Sequence, residues 1–93
     1  HMASAFVIIK VENREVEEVH ADLEVLPEVT EAYVISSVYE IFTIVHTETM
    51  PAIEKLVQEQ IEHIKGVIST LTLIILEPDP QDTPEAIPPP EVP

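Results

Sequence analysis

Three internal histidines, His20, His46 and His63, are the obvious candidates for proton transfer or metal binding, and their spacing suits neither. None forms an H-x-H or H-x-x-x-H pair, and no fixed carboxylate partner can be identified from the sequence. Ordinary surface or boundary positions, and no metal site, are the expectation. Cysteine is absent, which removes disulfides, thiolate ligands and thiol nucleophiles. Ser36, Ser37 and Ser69 lie in no context resembling a nucleophile elbow, and the single glycine, Gly66, cannot build a phosphate-cradling loop. The glutamates are plentiful, but most fall on helix faces, where glutamate is simply a good helix former. No enzyme chemistry and no cofactor are expected. One stretch stands apart: "ISSVYEIF", Ile35 to Phe42, where two apolar runs must turn back on each other without a Gly, Pro, Asn or Asp.

The charge balance narrows the partners. Of 93 residues, 18 are acidic and 4 basic, a formal net charge of −14. A surface this acidic repels phosphate backbones within the Debye length, so direct nucleic-acid binding by this chain is not expected. Most of the acids are read as a solvated surface. No apolar run reaches the roughly 18 residues that span a membrane, no signal peptide is visible, and a cytoplasmic protein is the default. The first four residues are read as a leader, with His1 a remnant of cloning. After Glu77 the composition changes: "PDPQDTPEAIPPPEVP", residues 78–93, holds seven prolines in 16 residues and is read as an extended acidic tail.

Six elements must position anything that binds. "AFVIIKVE", Ala5–Glu12, is short and β-branched, a strand. Arg14–Leu26 places Val16, Val19, Leu23 and Leu26 at helical steps, with Pro27 closing the helix. "TEAYVIS" and "VYEIFTIVH" read as the two strands of a hairpin. Thr49 is placed to cap a second helix, Pro51 falls in its first turn, and its face carries Ile53, Leu56, Val57, Ile61 and Ile64 before Gly66 ends it. Val67–Leu76 is the last strand. The order βαββαβ predicts an α+β, ferredoxin-like fold: a four-stranded antiparallel sheet with both helices on one face.

The strands carry apolar residues on both faces. Val7, Ile9 and Val11 can face the helices, which turns Phe6 and Ile8 the other way, and the third and fourth strands repeat the pattern. Two helices cover one face only. Burying about five large side chains on the other at roughly 1.5–3 kcal/mol each approaches 10 kcal/mol, enough to predict a sheet-to-sheet dimer after association costs.

"AFVIIKVE", the segment Leu26–Val34 (Leu-Pro-x-Val-x-x-Ala-Tyr-Val) and the segment Gly66–Thr72 (Gly-Val-x-Ser-Thr-x-Thr) together resemble the C-terminal effector-binding domain of Lrp/AsnC transcriptional regulators, the RAM domain. The resemblance covers Ala5 to Glu77. It implies dimerisation through the sheets, assembly of dimers into larger homo-oligomers, and binding of a small effector, typically an amino acid, between dimers. The hairpin loop and the start of the last strand would supply the site: Ser36, Ser37, Val38, Tyr39 and Glu40, with Ser69, Thr70 and Thr72. The family's usual hairpin text resembles Thr-Gly-x-Tyr-Asp. Here Tyr39 matches, Glu40 lengthens the acid, and Ser37 stands where glycine is usual. A serine at positive φ there would cost about 1 kcal/mol, or else the loop takes another shape.

Full-length members carry an N-terminal helix-turn-helix domain, for which the four residues before the first strand leave no room, so the expectation is a stand-alone domain or one cut from a longer chain, with Met2 slightly favouring the former. Two functions follow from the resemblance. One is effector sensing linked to transcriptional regulation, with Glu40 as partner of an ammonium group and the hydroxyls of Ser36, Thr70 and Thr72 orienting the ligand. The other is ligand-independent assembly, alone or with full-length Lrp/AsnC-type regulators. An ACT-like regulatory module shares the element order, and the Ser-Thr-x-Thr strand argues against it.

Overall fold

The computed structural model describes residues 2–76; the Pro-rich segment and the leader's first residue lie outside the described residues. β1 (Ala3–Val11), α1 (Val16–Glu24), β2 (Val29–Ile35), β3 (Glu40–Thr47), α2 (Met50–Glu59) and β4 (Val67–Ile75) follow in the expected order. The sheet runs β2-β3-β1-β4, antiparallel throughout, with β1 and β3 in the middle. This is the ferredoxin-like arrangement.

Alternation along the central strands divides the two faces. Ala5, Val7 and Ile9 of β1, with Ile41, Thr43 and Val45 of β3, are buried under the helices. They meet Val19 and Leu23 of α1 and Ile53, Leu56 and Val57 of α2 in one core. Thr43 is the polar residue of that layer, and its Oγ1 donates to the Val7 carbonyl at 2.9 Å, which removes the cost of burying it.

Both helices are shorter than their apolar stripes. Asn13–Glu15 forms a 3-10 turn ahead of α1, and Ile61–His63 another after α2. Ile61 still reaches the core, and Leu26 and Ile64 pack against it. The periodicity therefore marks the buried face correctly and overruns the hydrogen-bonded helix. Thr49 occupies the N-cap of α2 without a side-chain cap bond. Its carbonyl instead accepts from Thr47 Oγ1 at 2.6 Å. Gly66 is the expected helix-end glycine, at φ +100; a Cβ there would lie 2.5 Å from Glu15 Cβ, so backbone conformation and space both require glycine.

The second face of the sheet has no helix. Cross-strand rows on it run Tyr33–Phe42–Ile8–Leu71 and Ile44–Phe6–Leu73. Phe6, Tyr33, Phe42, Leu71 and Leu73 are each exposed by 40% or more. The next row, Ile35–Glu40–Lys10–Ser69, ends the apolar patch with charge.

Candidate functional site

The hairpin is built on a four-residue loop. Ile35 and Glu40 form the last pair of β2 and β3, so Ser36, Ser37, Val38 and Tyr39 make the connection. Val38 N–H donates to the Ile35 carbonyl at 3.3 Å, closing a turn over the two serines. The strands are thus shorter at this end than the alternation suggested, and Tyr39 belongs to the loop. Its φ is +53, and it is the one non-glycine residue at positive φ among the described residues. Of the two possibilities for Ser37, a strained left-handed serine or a loop of another shape, the loop takes the second: the chain reverses two residues later. Tyr39 is held there by its carbonyl, which accepts from Val11 N–H of β1 at 3.1 Å.

The eight expected site residues divide into three groups. Ser36–Tyr39 form the exposed loop. Glu40 and Ser69 flank Lys10 in register on the helix-free face. Thr70 and Thr72 pair with Ile9 and Val7, which places them on the helix side. There they line a cleft of about 240 Å³ with Glu54, Gln58 and Glu62. One copy of the chain does not gather all eight around one point. A ligand touching both the hairpin and the threonines must be shared between copies or use part of the set.

Glu54, Gln58 and Glu62 escaped the sequence reading because acids on a helix ordinarily face water. The available signal was their step of four, which puts all three on one stripe of α2 and its following turn beside β4. Carboxylates beside two threonine hydroxyls suit a ligand that presents hydrogen-bond donors or positive charge.

The histidines are also more engaged than their spacing suggested. His20 Nδ1 lies 3.2 Å from Glu24 Oε1, one turn along α1, and Nε2 is 2.8 Å from the Ala32 carbonyl of β2. Both neighbours are acceptors, so this ring ties α1 to the edge strand. His46 Nδ1 pairs with Ser4 Oγ at 2.6 Å. No group of three or more potential ligands able to hold a metal occurs among the described residues. Tyr33, on the helix-free face, hydrogen-bonds the Glu31 carboxylate. That bond, then the negative charge, then slight desolvation push its phenol above the ordinary value of 10.0.

Solved structures place the fold among known proteins. TTHA0845 from Thermus thermophilus superposes with a TM-score of 0.75 and 26% identity, covering 84% of this chain and 98% of that one. Escherichia coli AsnC superposes at 0.73 with 33% identity over 84% of this chain, which spans 52% of AsnC. A Neisseria meningitidis transcriptional regulator, NMB0573 in complex with L-Met, shares the fold at 0.67 with 18% identity, covering 81% of this chain and 50% of that one. No curated protein sequence is detectably similar. The family model for the Lrp/AsnC ligand binding domain matches residues 4–84, which takes in both helices and all of the sheet but Ala3. The chain belongs to the Lrp/AsnC ligand binding domain family.

Proposed function

We propose that this chain is a non-catalytic, cytoplasmic effector-binding and oligomerisation module. It would bind a small molecule, an amino acid by class, at a contact between copies and pass that occupancy to transcriptional regulation. Family membership over residues 4–84 carries the reading. The site's geometry supports it in a specific way. Glu40, beside the loop Ser36–Tyr39, and the cleft holding Thr70 and Thr72 lie on different faces of one chain. A site assembled from two copies brings such halves together, and oligomerisation then becomes part of binding. Within it, Glu40 or the Glu54–Glu62 stripe receives the ammonium group, and the hydroxyls of Ser36, Thr70 and Thr72 orient the ligand. That a related fold was solved with L-Met agrees with the ligand class.

The assembly step uses the helix-free face. Its rows of Phe, Tyr, Ile and Leu meet a second copy, burying apolar area that water otherwise contacts. The same face favours a second reading, in which the chain assembles with itself or with full-length Lrp/AsnC-type regulators and needs no ligand. Titration calorimetry against the twenty amino acids separates the two. The first reading expects at least one to bind with a dissociation constant below a millimolar. Silence from all twenty, with assembly intact, leaves the second reading standing and removes the first.

A further inference from the structure

The two edges of the sheet are unlike. On β2, Glu31 puts a charge in the strand, Pro27 stands just ahead of it, and His20 Nε2 lies 2.8 Å from the outward carbonyl of Ala32. Charges, prolines and covered backbone are the usual means by which an edge is kept from pairing. β4 has none of these. Its residues 69–75 include no charge and no proline, and they run in unbroken register with β1.

The alternation of the ladder shows which backbone groups this edge offers. Glu12 N–H donates to the Gly66 carbonyl and Val11 N–H to the Tyr39 carbonyl, so the even-numbered residues of β1 face β4. Their partners Ser69, Leu71, Leu73 and Ile75 are spent on β1. Thr70, Thr72 and Ile74 point their N–H and carbonyl groups outward, where they find no hydrogen-bond partner among the described residues. The side chains of the same three residues line the cleft with Glu54, Gln58 and Glu62. Neither Glu54 nor Glu62 is within ion-pair distance of a cation among the described residues.

We propose that the β4 edge accepts an extended peptide segment of a partner protein as a fifth strand, with lysine or arginine at alternate positions. Its backbone bonds Thr70, Thr72 and Ile74, and the side chains opposite those residues share their side of the sheet, beside the two acids. The spacing agrees. Glu54 and Glu62 are about 12 Å apart along a helix axis, and strand positions i and i+4 are about 13 Å apart. The intervening residues are apolar and fall on the other face, beside Leu71 and Leu73. A second copy in this place would bring its own Glu54 and Glu62 to the same cleft, acid against acid. The chain's own residues 78–93, with seven prolines and four acids, lack the N–H groups and carry the wrong charge.

The probe is acetyl-Lys-Val-Lys-Val-Lys-Val-Lys-amide, titrated at about 0.15 M salt into the full chain labelled with nitrogen-15. The amides of Thr70, Thr72 and Ile74 are expected to shift saturably and to gain protection from hydrogen exchange. N-methylation of the lysine amides, which face β4, should abolish binding; N-methylation of the valine amides, which face away, should preserve it. Glu54→Gln combined with Glu62→Gln should weaken binding about fivefold or more. Equal binding of the two methylated peptides, shifts confined to β2, unchanged affinity in the double variant, or no binding at millimolar peptide overturns the proposal. So does protection of the three amides that rises with chain concentration before peptide is added, which assigns the edge to a second copy. If the double variant does not fold, the two methylated peptides on the wild-type chain decide alone. Strand addition does not require the effector, so silence from all twenty amino acids leaves it standing.

Discussion

At the residue scale, the loop Ser36–Tyr39 shows how far side-chain identity goes. Sequence located the hairpin, because two β-branched runs flank it. With no glycine at position 37 it left two possibilities, strain at Ser37 or a loop of another shape; a four-residue loop can put its reversal at the last position, and Tyr39 takes it at φ +53. A bulky residue in that region costs about 1–2 kcal/mol. Tyr39→Asn should therefore leave the fold as stable or up to about 1 kcal/mol more stable, since asparagine tolerates the conformation. Ser37→Gly should stabilise nothing and cost up to about 1 kcal/mol by freeing the unfolded chain. Chemical denaturation checks both, and a clear gain from Ser37→Gly would return the strain to Ser37. Tyr33 gives a second test at this scale. Its phenol is held above 10.0, chiefly by the bond to Glu31, so the neutral form is favoured in the folded chain. The associated stability is fully present below pH 10 and is lost as pH rises through the higher folded value. In an ultraviolet titration, Glu31→Gln should move one of the two tyrosine midpoints downward.

At the scale of elements, alternation and helical periodicity made the six-element order legible because each buried face is regular. Boundaries were less so. The stripes of α1 and α2 continue into 3-10 turns, where apolar contacts persist after the α-helical ladder stops. Which face of β4 turns inward could not be settled from its sequence, since Thr70, Thr72 and Ile74 alternate with Leu71, Leu73 and Ile75. Pairing decides it: Thr72 aligns with the buried Val7, and the leucines go to the helix-free side. That placement separates the threonines from Glu40 and reveals the acids of α2 as their neighbours. Two elements depend on one glycine. Gly66→Ala adds a methyl against Glu15 and Val19 in a backbone conformation alanine avoids. A loss of about 2 kcal/mol or more is expected, visible as a lowered melting temperature. His20→Ala, which unties α1 from β2, should cost about 1 kcal/mol.

At the scale of the molecule, charge and apolar surface oppose each other. Two copies meeting through the helix-free face each bring a large negative charge, so association should strengthen as salt screens the repulsion. The attraction sits in a compact patch: Phe6, Phe42, Leu71 and Leu73 in neighbouring rows. Leu71→Glu puts a charge in that patch without touching the core, since Leu71 is exposed by 55%. It should abolish association while leaving the fold intact by circular dichroism.

Effector binding between copies and ligand-free assembly of the chain with itself both require self-association. The direct measurement is molar mass by light scattering at tens of micromolar chain and moderate salt. The account predicts a dimer or a multiple of it. A single species of 10.4 kDa at every concentration would contradict it.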